Sequence, residues 1–292
     1  MQPHTQIRVR QRSRAAAAVI AVAATLTLFS AAAAHDFWLI PDFFGFPAGS
    51  AVHVNARSGT RFPAGTAMQP ARVAEARIIG GNSDVKITEM AVEGTSLRLH
   101  YKPSAPGQYL VTAILTPPAR TNRVPPAGLI RFLRAEGGAA EATRLERDEA
   151  FMAKDTVLYV SRSSAATVLQ LGNGGPRAFS KTAGYPLELV PLSDPTMLRV
   201  GDTLHVRVLG NGKAAPNIGI DAVPAADTTA QSEGGESQVV TLTADAGGVV
   251  HLPLTKAGPW MIRSAYVSAR PGGAANEFDV ARATYTLSVK PR

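Results

Sequence analysis

TLHVRVLGNG, residues 203–212, alternates apolar and polar side chains and then turns. Leu204, Val206 and Val208 fall on one side of an extended chain, because successive strand side chains point to opposite faces. His205 and Arg207 fall on the other, which predicts a half-buried strand with its imidazole turned outward. Asn211-Gly212 supplies the positive φ angles of a tight hairpin. Around this stretch, residues 187–192, 218–223, 238–243, 249–254, 260–267 and 284–289 are further apolar runs separated by turn signals. Short strands at this spacing predict an antiparallel sandwich over the last third of the chain. The polar loops 225–236 and 269–276 are expected to be mobile.

Upstream the pattern is β with an interruption. Strands are expected over residues 37–40, 51–56, 76–79, 84–88, 96–101 and 108–115, with loop over 60–72. Residues 116–127 hold four prolines and predict irregular chain. The period then changes. Leu129, Ile130 and Leu133 share a helical face, Arg131, Arg134 and Glu136 are expected to point away, and Gly137-Gly138 stops the helix. A second helix is expected over 141–154, with Arg144 and Asp148 spaced i,i+4. Residues 156–161 and 167–171 read as two more strands. The fold class is therefore mainly β: two β-sandwich-like domains with a short helical insertion in the first. Turn-rich residues 172–185 mark the boundary, giving 35–183 and 184–292.

The first 34 residues have the pattern of a signal peptide. Arg8, Arg10, Arg12 and Arg14 precede an apolar stretch over 15–29, and small residues 30–34 follow with A-x-A spacing. A stretch of fifteen residues falls short of the ~20 that cross a bilayer as a helix. A periplasmic or secreted protein with no membrane span after cleavage is expected. The leader holds four of the 30 basic residues and none of the 22 acidic ones, so its removal lowers the formal charge from +8 to +4. That excess, with 6% aromatic residues and no basic-aromatic patch, argues against nucleic acid as a partner. Absence of cysteine excludes disulfides, thiolate metal sites and thiol catalysis.

His35-Asp36-Phe37-Trp38-Leu39 with Pro41 resembles the mature start of the 4198 domain-of-unknown-function family. The block from Gly184-Tyr185-Pro186-Leu187-Glu188-Leu189-Val190-Pro191 through Asp194-Pro195, Gly201-Asp202, 206–209 and Gly212-Lys213 is similar to the family's central region. Residues 243–247 and Ala257-Gly258-Pro259-Trp260 look like its later turn and strand. The resemblance implies an exported protein of two β-rich parts, the second immunoglobulin-like or carboxypeptidase-regulatory-like. It also implies the NikM-like role in nickel transport attached to many members. Near 263–267, where some members carry a histidine, this chain has Ser264, Ala265 and Tyr266.

The histidines His35, His53, His100, His205 and His251 show no H-x-x-x-H spacing, so only the fold can assemble a site from them. The last four are expected to be imidazoles on strand faces or the surface. Asp245 lies in a hairpin turn rather than a calcium loop, whose other oxygen ligands are missing. No G-x-S-x-G, H-E-x-x-H or S-x-x-K set is present, and no enzyme is expected. Trp38 and Trp260 are expected in the core. Leader cleavage after Ala32, Ala33 or Ala34 places a free amine at or within two residues of His35. Amine and imidazole nitrogens in one plane suit Cu(II) or Ni(II), with Asp36 beside them as an oxygen ligand or acceptor. The function expected is an exported binding or accessory protein for nickel or cobalt uptake, partnered by a membrane transporter component. The alternative is a metal-free structural or interaction module that binds a protein or glycan.

Overall fold

A computed structural model describes residues 35–118, 120–225 and 239–292. The leader and most of the loop 225–236 lie outside the described residues. In chain order the strands are β1 (Asp36–Pro41), β2 (Gly45–Phe46), β3 (Val52–Gly59), β4 (Thr66–Ala67), β5 (Val73–Gly80), β6 (Ser83–Lys86), β7 (Met90–Glu93), β8 (Ser96–Tyr101), β9 (Gly107–Leu115) and β10 (Asn122–Val124). Helices α1 (Pro126–Ala135), α2 (Ala139–Glu146) and α3 (Glu149–Met152) follow. Then come β11 (Val157–Leu171), β12 (Leu187–Pro191), β13 (Thr203–Gly210), β14 (Lys213–Ala214), β15 (Gly219–Pro224), β16 (Val240–Thr243), β17 (Val249–Pro253), β18 (Gly258–Ala269) and β19 (Glu277–Val289).

These strands make three sheets. A front sheet runs β1-β3-β8-β7, with β4 on β3. A second, smaller sheet runs β12-β13-β14, with β17 also on β13. Interleaved with both along the chain, and common to both, is a ten-stranded sheet whose main path is β16-β15-β18-β19-β11-β9-β5-β6, with β2 and β10 also paired to β11. Its middle is the parallel pair β11–β19, in which Leu158 to Thr167 face Glu277 to Thr286. One core lies under the front sheet and includes Phe37, Leu39, Val54, Leu97, Leu99, Val111 and Leu169. Another includes Leu187, Leu204, Val206, Val208, Leu252, Trp260 and Ile262, with Ile79, Leu110 and Val168 contributed from upstream. Burying each such aliphatic side chain stabilises the fold by roughly 1.5–3 kcal/mol. Residues 172–185 thus lie between two cores, yet the strands on either side of them are bonded into one sheet. Residues His35–Arg292 form a single compact unit.

Where the chain alternates, the strands lie where the alternation puts them. Leu204 and Val206 are buried and His205 and Arg207 face out. Asn211 and Gly212 have φ of 49° and 75° and join β13 to β14. Besides the short β4 inside the expected loop 60–72, four stretches differ from the sequence reading. The strands expected at 156–161 and 167–171 are one, β11, because the small residues Ser163, Ser164 and Ala165 between them allow β1 to pack across it. The proline-rich segment contains β10, and Pro126 opens α1 at its first turn, where a missing N–H costs nothing. The helix expected over 141–154 is two, because Asp148 caps α3 by accepting from the Phe151 N–H at 2.9 Å. Arg144 accordingly pairs with Glu141 three residues back, at 2.8 Å, and not with Asp148.

The fourth correction concerns Glu136. It does not point to solvent but is 1% exposed, because Gly137 (φ 74°) turns the chain and Gly138 N–H closes on Leu133 O at 2.7 Å. A Cβ at Gly138 would lie 2.9 Å from that of Ala265, so the turn packs directly on β18. The helices bury Leu129, Leu133, Leu145 and Phe151 against Val157, Val267 and Val280. Among the described residues no helix is long and apolar enough to cross a membrane.

Candidate functional site

At the start of the compact unit, His35 is exposed and its carbonyl accepts from the Arg282 guanidinium at 3.1 Å. The next residue is held quite differently. Asp36 is 5% exposed, accepts from Arg263 at 2.6 Å and lies 3.7 Å from Arg282. Arg263 also reaches Asp221 at 3.3 Å, and Arg282 pairs with Glu136. Burial lowers the Arg282 pKa to about 10, against the pull of Asp36. Burial also works against the charge on Arg263, but Asp36 and Asp221 more than offset it, and its pKa is raised. The carboxylate of Asp36 is therefore engaged by two cations, while the imidazole of His35 is open to solvent.

Beyond Asp36, β1 is fastened to the common sheet along its free edge. Thr284 Oγ1 donates to Phe37 O at 2.6 Å, and Thr286 Oγ1 donates to Leu39 O. Trp38 is fully buried with Phe62, Val223 and Met261, a cluster drawn from both halves of the chain.

His53, His100, His205 and His251 lie on strand faces as expected, and they meet in pairs. His53 on β3 faces His100 on β8, and His205 on β13 faces His251 on β17. The Nδ1 atoms are 2.9 Å apart in the first pair and 2.7 Å in the second. Strand geometry explains both encounters. The His53 carbonyl accepts from Asp42 N and the His205 carbonyl from Leu192 N, each on the strand edge away from the partner histidine. Both pairs therefore occupy non-hydrogen-bonded positions of an antiparallel ladder, where Cα atoms approach to about 4.5 Å and side chains come closest. The rings meet edge to face, at 76° and 87°.

Each pair has a carboxylate on its far side. Glu93 Oε1 lies 3.1 Å from His100 Nε2, and Asp245 Oδ2 lies 3.7 Å from His251 Nε2. Glu93 is in turn held by Arg98 at 3.0 Å, which lowers its pKa, and Arg98 also pairs with Asp42. Asp245 accepts from Gly247 N at 2.8 Å and Val249 N at 2.9 Å, as a hairpin-turn aspartate does; the Val249 bond is the main cause of its lowered pKa. A proton on His100 Nε2, donated to Glu93, leaves a lone pair on the Nδ1 of the neutral ring. That lone pair is directed at the Nδ1 of His53.

A cleft of about 760 Å³ opens between the loops at 43–48, 172–177 and 194–197, with Phe44, Gln108, Arg177, Met197 and Lys290 in its wall. Glu188 and Asp194 do not form a carboxylate pair there. Glu188 is taken up by Ala183 N at 2.6 Å and Asp194 by Gln108 at 2.6 Å. Among the described residues, no group of three or more His, Asp or Glu side chains could hold a metal ion.

The model of a family described as a domain of unknown function, DUF4198, matches residues 32–268. No curated protein matches. Among solved structures, a Salmonella alpha-2-macroglobulin mutant aligns at 13% identity and TM-score 0.24, over 86% of this chain and 15% of its own. An elastase-activated Escherichia coli alpha-2-macroglobulin aligns at 14% and 0.23, over 88% and 20%. Murine CEACAM1b aligns at 9% and 0.20, over 88% and 100%. This chain thus spans a fifth or less of those macroglobulins, and likenesses this slight carry no inference about it.

Proposed function

The chain belongs to the DUF4198 family, and from that premise we propose that it works outside the cytoplasm as a binding or accessory protein for a divalent transition metal. Nickel or cobalt in uptake is the role, with a membrane transporter component as partner. It is a binding protein and not an enzyme. The observation that supports this is the start of the compact unit at His35, the residue next to the expected leader cut. The Arg282 bond to the His35 carbonyl and the burial of Asp36 hold the backbone there, so cleavage releases an amine beside an exposed imidazole on a held backbone. Asp36 serves as anchor rather than ligand, since Arg263 and Arg282 engage it. A metal-free interaction module is the second reading, favoured by the cleft with Met197 (65% exposed) in its wall and by Phe43 (68%) nearby in sequence.

Untagged protein recovered from the periplasm should begin between Ala33 and His35 on N-terminal sequencing. It should carry Ni(II) or Cu(II) at its N-terminus in native mass spectrometry, and His35→Ala should remove that metal. An intact Met1 would remove the exported reading, and mature protein without any metal affinity would leave the interaction module.

A further inference from the structure

We infer that the two cross-strand histidine pairs, His53–His100 and His205–His251, are metal sites, one on the outer sheet of each sandwich, that take Cu(II) or Ni(II) between their Nδ1 atoms. The inference shares with the preceding reading only the class of metal, and it stands without the N-terminal site. Two imidazole lone pairs do not face each other at 2.9 or 2.7 Å unless a proton or a cation lies between them. A single shared proton would staple the strands. A metal would do so and also use every feature around the rings.

Spacing separates the candidate ions. With metal–nitrogen bonds of about 2.0 Å, ligands at right angles are about 2.8 Å apart, and ligands at a tetrahedral angle about 3.3 Å. Both observed separations match the right angle, which belongs to square-planar or tetragonal Cu(II) and Ni(II) rather than tetrahedral Zn(II). At the first pair a carboxylate stands where a ligating histidine uses one, behind the ring and 3.1 Å from the nitrogen that does not bind metal; at the second, Asp245 lies on the same side at 3.7 Å, beyond hydrogen-bond distance. The closer contact fixes the tautomer and strengthens Nδ1 as a donor. The same combination of cross-strand position, ring geometry and rear carboxylate occurs twice, on strands 46 and 47 residues apart.

Only two protein nitrogens converge at each pair, so the other equatorial positions belong to water or to ligands that arrive with the metal. Sites of this kind load and unload readily, as a carrier requires, and are closed to ions that demand an all-oxygen shell.

The test uses the full mature chain carrying a short N-terminal extension without histidine, which blocks the amine. CuCl2 and NiCl2 are titrated by calorimetry and native mass spectrometry, and the Cu(II) form is examined by electron paramagnetic resonance. Two ions per chain are expected, with hyperfine splitting from two imidazole nitrogens each. His100→Ala and His251→Ala should each lower the count by one, and the double variant should bind none while keeping the wild-type circular dichroism spectrum. Binding in the unextended chain alone would overturn the inference and leave the N-terminal reading intact. An unchanged count in the double variant, or a spectrum without imidazole nitrogen splitting in the wild type, would also overturn it.

Discussion

The two histidine pairs are built alike and supported unequally. In the first sandwich, His100 rests on Glu93, Glu93 on Arg98, and Arg98 on Asp42, so the ring stands at the end of a chain of charged contacts reaching across the sheet. In the second, Asp245 is 3.7 Å from His251 and spends its other oxygen on its own turn, and the His251 side chain is 58% exposed against 19% for His100. A shared backbone position thus brings the imidazoles together, while the surrounding charges determine how firmly they are held. The sandwiches that carry them differ in the same sense. The first holds its N-terminal strand by pairing with β3 and also through residues of the second, because Asp36, Phe37 and Leu39 are all bonded to β18 or β19.

The largest expected effect separates the halves. A fragment of residues 184–292 loses β11, the parallel partner of ten residues of β19, and the upstream share of its core. Its thermal melt by circular dichroism should be broad and uncooperative beside that of residues 35–292. A sharp melt at the parent temperature would show that the second sandwich needs nothing from the first. Next come the two buried tryptophans. Trp38→Ala removes a ring from the cluster that joins the halves, and Trp260→Ala one from the core of the second; each should cost about 3–5 kcal/mol in denaturant unfolding. If the joint matters as described, Trp38→Ala alone should also split the transition in two. The smallest effect distinguishes the histidine pairs. Glu93→Gln should weaken metal binding at His53–His100 about tenfold or more. Asp245→Asn should change binding at His205–His251 much less, and equal losses would erase the difference.

Much of the architecture is legible in the residues because alternation is a local signal. Ser96–Tyr101 and the outward set of His205 and Arg207 follow from it directly. What is not legible depends on the partner of a strand. Ser163 and Ser164 look like a break because nothing in the sequence says that β1 will lie over them. Glu136 looks like a surface residue on its helix and is drawn inward by an arginine at position 282. The histidine pairs fail the same way. Each ring is visible as a strand-face residue, but its neighbour is 46 or 47 positions away and is set by register, which no short motif records. The one available clue was that all four occupy outward positions of alternating strands.

The threonine bonds between β19 and β1 carry a consequence for timing. Thr284 and Phe37 are separated by 247 residues, as are Thr286 and Leu39. The entropy of closing so long a loop must be met before those contacts can form, so native structure of this kind is assembled slowly. The first strand can pair with β3 early, but it cannot be fastened to the common sheet until the last strand has formed. The segment that comes first in the chain is thus the last to be locked down, and its backbone beside His35 stays open for the whole of that interval.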